Sequence, residues 1–70
     1  MVEFGAVIRK GERYAQIGDR LVWVRIDNAT VFSSSYKAGV AIHALREQGF
    51  DVHQMVIAPV KVTRTVEEIS

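Results

Sequence analysis

The chain has 70 residues, enough for one domain, and its 49% hydrophobic and 24% charged residues are typical of a globular protein rather than a disordered tail. It contains no cysteine, which excludes disulfides and thiolate zinc sites. Nine basic residues stand against eight acidic ones, so net charge neither favours nor excludes a polyanionic partner.

The first half of the sequence predicts a meander of short strands. Residues 2–9 alternate in the period-two pattern of a half-buried strand. Lys10–Gly11 and Gly18–Asp19 are turn signals of the kind found in tight hairpins. Four strands are therefore expected, over residues 2–9, 13–17, 21–26 and 30–33.

The pattern then changes to that of a helix. Apolar residues recur at the spacing i, i+3, i+4 and i+7 and form one stripe, made of Ala38, Ala41, Ile42 and Leu45. Any of the three serines at 33–35 can cap its start, and Gly49 is suited to the left-handed position just beyond its end. We expect this stripe to pack on the sheet.

The chain returns to extended structure after the helix. Residues 52–58 read as a strand interrupted by Pro59, and residues 60–66, including Arg64, suggest a last strand. The prediction is a single domain, 1–70, of the α+β class. Its small, mostly antiparallel sheet has the order β-β-β-β-α-β, with or without a further C-terminal strand, and one helix is packed on one face.

Two-residue hairpin loops would fix which side chains share a face. Ala15 then opposes Val22, and Ile17 opposes Arg20. The helix would cover a face composed of Val2, Phe4, Ala6, Ile8, Ala15, Ile17, Val22, Val24, Ile26 and Val31. A slip of one residue in a hairpin would exchange the two faces.

The opposite face is the predicted binding site. It would collect aromatic, aliphatic and basic side chains where water usually meets polar ones: Tyr14, Leu21, Trp23, Arg25 and Phe32. Four interpretations are open. The chain after Pro59 covers this face, a second protein or second copy covers it, single-stranded nucleic acid stacks on it, or a small molecule binds there.

A second stripe on the helix, Tyr36, Val40 and Ala44, is a possible second interface. It lies roughly opposite the core stripe, and a helix that is apolar on two sides is usually contacted on two sides.

Catalytic and metal sites are not expected. His43 and His53 are separated in sequence, and His43 with Glu47 has the i, i+4 spacing of an exposed helix pair. No serine lies in a nucleophile elbow, and no glycine-rich phosphate loop is present. We therefore predict a protein that is not an enzyme and binds no cofactor or metal.

The N-terminal sequence lacks the pattern of a secretory signal, which favours a cytoplasmic location. The leading functional hypothesis is a non-catalytic protein-interaction module. It would be either a homodimer or a small regulator or inhibitor docking on a larger protein. The alternative is a binder of single-stranded nucleic acid that uses the same aromatics with Arg9, Lys10, Arg13 and Arg25.

Overall fold

The computed structural model describes residues 2–63 and 65–69. Five strands form one sheet in the order β3-β2-β1-β4-β5, and neighbouring strands are antiparallel. The elements are β1 (Glu3–Lys10), β2 (Arg13–Ile17), β3 (Leu21–Val24), a 3-10 turn (Ile26–Asn28), α1 (Ser35–Glu47), β4 (Val56–Val62) and β5 (Val66–Glu68). The predicted fold class is confirmed. Arg64, which the sequence placed in the last strand, lies outside the described residues.

The helix begins and ends as its sequence predicts. Ser34 is the N-cap, and its hydroxyl accepts a hydrogen bond from the Lys37 amide at 3.3 Å. At the other end, Gly49 has φ +95°, and the Phe50 amide donates to the Leu45 carbonyl at 3.1 Å. These are the features of a Schellman motif, in which glycine takes the left-handed conformation without a Cβ penalty.

The core has two layers, one on each face of the sheet. On the helix face, Ala38 of α1 is packed with buried Ala6, Ile8 and Ala15. On the other face, which we call the second face, the buried residues are Val7, Ala58 and Val60. Because the alternation of β1 sends Val7 and Ile8 to opposite sides, both faces of the central strand are buried.

The predicted fourth strand, residues 30–33, is wrong as an independent strand. β1 and β2 pair only next to their turn, at Arg9 with Tyr14 and Lys10 with Arg13. Residues 30–32 lie between the two strands farther along. Phe32 exchanges main-chain hydrogen bonds with Ala6 at 2.7 and 2.8 Å, and the Thr30 amide donates to the Ala15 carbonyl at 3.0 Å.

The strand break predicted at Pro59 and the last strand predicted over residues 60–66 are also wrong, since β4 runs through Pro59 to Val62 and the last strand is Val66–Glu68. Pro59 opposes Ala6, whose amide and carbonyl are bonded to Phe32 on the other side. Pro59 therefore loses no hydrogen bond with β1 by lacking an N–H. Its main chain faces β5 instead. There the Ile69 amide donates to the Pro59 carbonyl at 2.9 Å. Proline is tolerated here because its position is not hydrogen-bonded to β1.

The close approach of residues 30–32 to β1 requires glycine at position 5. A Cβ on Gly5 would lie 2.5 Å from the Phe32 carbonyl oxygen and 2.8 Å from a Val31 methyl group. We expect Gly5→Ala to lower the free energy of unfolding by at least about 1 kcal/mol, since main chain would have to move. Chemical denaturation measures this.

Gly39 is the matched control. A Cβ there would make an ordinary contact, 3.7 Å from Ile57 Cδ1, within a helix. Gly39→Ala should raise the free energy of unfolding by about 0.5–1 kcal/mol through helix propensity. Equal effects of the two substitutions would contradict the proposed close approach at Gly5.

Candidate functional site

The hairpin between β2 and β3 decides which side chains share a face. Ile17 pairs with Leu21, so the loop has three residues, 18–20, instead of the two expected from Gly18–Asp19. Ala15 therefore opposes Trp23 and not Val22. This shift of one residue exchanges the faces of β3, because side chains alternate along a strand.

The predicted shared face is consequently wrong. Leu21, Trp23 and Phe32 are half-buried and are packed against the core on the helix face. Tyr14 instead lies on the second face, beside Val7 and Val60. Arg25 is exposed and extended just after β3, with φ −73° and ψ 161°.

Other residues predicted for the helix face are also displaced. Val22 and Val24 lie opposite Gln16 and Tyr14 and so face the other way. Ile26 belongs to the 3-10 turn and is packed on the second face. Three more are exposed and not core residues: Val2, Phe4 and Val31.

The second face is covered by the chain itself, although not in the way the sequence suggested. Residues 60–62 and 66–68 lie in the sheet, whereas Ile26 and Ala29 cross this face and are packed on its buried cluster. The Tyr14 hydroxyl donates to Glu68 Oε2 at 2.8 Å, and Arg9 Nε lies 3.6 Å from Glu68 Oε1. A hydrogen bond between β2 and β5, which are three strand positions apart, shows that the sheet curls around this face.

The outer edge of β3 is the feature that remains open. On β2, the Ala15 carbonyl and the Ile17 amide are bonded to Thr30, at 3.0 and 2.8 Å, so they point away from β3. The ladder to β3 is left to Tyr14 and Gln16, which face Val24 and Val22. Main-chain groups alternate in direction along a strand, so those of Leu21 and Trp23 point outward.

Within residues 2–63 and 65–69, no strand lies beyond β3. Its four residues, LVWV, include neither a charge nor a proline, two of the features that natural edge strands use against pairing. The opposite edge differs, because β5 has three residues, two of which are Glu67 and Glu68. Both edge strands are short, but only β5 carries charged side chains, so β3 is the edge better suited to pairing.

The side chains along this edge are apolar and basic. Val22 is 40% exposed on the second face. On the helix face, the Lys10 ammonium lies 5.5 Å from the centre of the Trp23 ring, at cation–π distance. The sequence analysis assigned Val22 to the core because it assumed a two-residue loop between β2 and β3. A three-residue loop at 18–20 would have placed Val22 on the second face.

The second stripe of the helix is exposed. Tyr36 is 79% and Val40 51% accessible, and Ala44 is also on the surface. Its role as a second interface stays a prediction. Phe4 is likewise 68% exposed, at the mouth of an open groove with Val31, Phe32 and Val62.

The histidines lie on the surface. His43 Nε2 is 3.6 Å from Glu47 Oε1, the helix pair that the spacing predicts. Within the described part of the chain, no three histidine or acidic side chains converge in a way that could hold a metal ion. No helix found there is long and apolar enough to cross a membrane.

Comparison of the chain with protein-family models, with curated proteins and with solved structures gave no match.

The contact between Tyr14 and Glu68 makes stability depend on pH. The hydrogen bond to Glu68, then burial, then the Glu68 charge raise the pKa of Tyr14 above 10.0, while Arg9 opposes them. Because the folded state favours the neutral phenol, its contribution is full below the unfolded pKa and is lost as pH rises through the folded pKa.

We therefore expect the free energy of unfolding to fall more steeply above about pH 10 in the native chain than in Tyr14→Phe. Denaturant titrations at several pH values from neutral upward measure the difference. Parallel curves for the two proteins would show that the contact is not formed in solution.

Proposed function

We propose that this chain is a protein-interaction module that binds an extended segment of another polypeptide along the outer edge of β3. The observation that carries the proposal is the outward main chain of Leu21 and Trp23 on an edge without protective residues. An added strand takes its affinity from such main-chain groups and its specificity from alternate side chains.

The exposed surface supports a missing partner. A compact monomer of 7.8 kDa is expected to expose about 4,400 Å². This chain exposes 5136 Å². The excess of about 700 Å² accompanies large apolar side chains that lie on the surface, Val22 among them.

The small core points the same way. Only three large side chains among the described residues are fully buried: Ile8, Val7 and Val60. A core of this size usually needs reinforcement by disulfides, metals or a partner chain, and the sequence has no cysteine. Association would add buried surface to both molecules.

Three of the predicted binding residues fit this proposal, namely Leu21, Trp23 and Arg25, and Val22 joins them. Tyr14 and Phe32 instead hold the fold together, through Glu68 and Ala6. The proposed module is non-catalytic. The proposal also places it in the cytoplasm, since a chain without cysteine fits a reducing compartment.

The nucleic-acid alternative has no specific observation in its favour. A stacking platform needs several aromatic rings on one open face. Tyr14 and Trp23 are on opposite faces, and the Lys10 ammonium already lies over the Trp23 ring. It stays a prediction, tested by quenching of Trp23 fluorescence with oligonucleotides at low salt.

A generic strand tests the proposal. We expect a peptide of alternating threonine and valine, flanked by lysines, to slow hydrogen exchange at the amides of Leu21 and Trp23 by about tenfold at millimolar concentration. The amides of Val22 and Val24 should change little, since they already belong to the ladder with β2.

Val22→Lys is the blocking variant, because lysine on an edge strand opposes pairing. It should remove the protection, whereas Val40→Lys, on the exposed helix stripe, should leave it intact. Protection that survives Val22→Lys, or that appears on α1 and not on β3, would contradict the proposal.

A further inference from the structure

Resting on the proposed function, we propose that the polypeptide bound at this edge is β3 of a second copy of the chain, antiparallel and related by a two-fold axis at Val22. The two five-stranded sheets would then join into one continuous sheet. Such an interface is isologous and closes after two copies, since the same edge is used by both.

The direction of the main-chain groups limits how two β3 strands can pair. Only outward-pointing residues form hydrogen-bonded pairs, and on β3 these are Leu21 and Trp23. With the axis at Val22, Leu21 of each copy exchanges both main-chain hydrogen bonds with Trp23 of the other. All the open groups of the edge are thereby used.

The side chains agree with this register. Val22 meets Val22 of the second copy as a non-hydrogen-bonded pair, the closer of the two pair types, so two exposed methyl-bearing side chains cover one another. On the helix face, Leu21 faces Trp23 of the other copy. No charge is placed opposite a like charge within these pairs.

Charge complementarity extends the match beyond the strand. Antiparallel pairing about Val22 also brings the 18–20 loop of one copy, which holds Asp19, to the end of the other copy's β3, where Arg25 follows, and the symmetry makes this approach twice. Both residues are exposed in the single chain, and Arg25 is extended, so it continues the line of β3. Opposite charges that approach at a surface attract one another, and salt weakens the attraction.

The neighbouring registers are worse. An axis at Trp23 places Leu21 opposite Arg25 of the other copy, beyond the end of its β3. An axis at Leu21 places Trp23 opposite the 18–20 loop of the other copy, where no strand is present to pair with its main chain. An axis between Val22 and Trp23 brings Leu21 against Val24, whose main-chain groups are already bonded to β2. Only the axis at Val22 pairs both outward-pointing residues of β3 within the strand and brings the exposed Val22 side chains together.

Charge reversal tests the register. Sedimentation equilibrium between about 10 μM and about 1 mM should show the native mass rising from one chain towards two. Asp19→Arg and Arg25→Asp should each weaken the dimer at low salt by about fivefold or more, and the double variant should restore it. Val22→Lys should be monomeric, and Val40→Lys should dimerise like the native chain.

The outcomes separate this inference from the proposed function. A dimer that is lost in Val22→Lys but indifferent to the charge reversals overturns the register and leaves the strand-binding edge. A chain that stays monomeric yet protects Leu21 and Trp23 with the peptide overturns the second copy as partner. A dimer lost in Val40→Lys and kept in Val22→Lys overturns both, and places the interface on the helix.

Discussion

The hydrogen bonds that Thr30 makes with β2 constrain the rest of the structure. The Thr30 amide donates to the Ala15 carbonyl, and the Thr30 hydroxyl accepts from the Ile17 amide, so Thr30 occupies the side of β2 that would otherwise pair with β1. β2 can then reach β3 only through Tyr14 and Gln16. The direction of every main-chain group on β3 follows, because these groups alternate along a strand.

This constraint links the fold to the candidate site. Because residues 30–32 separate β1 from β2, the β2–β3 hairpin can curl while Trp23 stays packed against the helix-face core. The turn after β3 crosses the second face, and the contact between Tyr14 and Glu68 joins β2 to β5 there. Each face of the sheet therefore has its own packed layer. Among the described residues, the outward main-chain groups of β3 are left without a neighbouring strand.

Local patterns predicted the helix and the first three strands well, and the later strands and the pairing less well. The serine cap, the apolar stripe from Ala38 to Leu45 and the glycine stop all depend on neighbours in sequence, so their signals lie in the residues themselves. The register of β3 depends on a single loop residue, Arg20, and nothing local distinguishes a two-residue from a three-residue loop at Gly18–Asp19. Insertion of Phe32 beside Ala6 is a long-range contact that alternation cannot show.

The register of β3 is tested most directly by nuclear Overhauser effects between Hα atoms in the monomer. Ala15 and Trp23 form a non-hydrogen-bonded pair, so their Hα atoms should lie within about 3 Å and give a strong cross-peak. The account predicts that cross-peak, with a second one between Ile17 and Leu21. A strong Hα contact between Ala15 and Val22 would contradict it, because it would return Trp23 to the second face and remove the edge on which the proposed function depends.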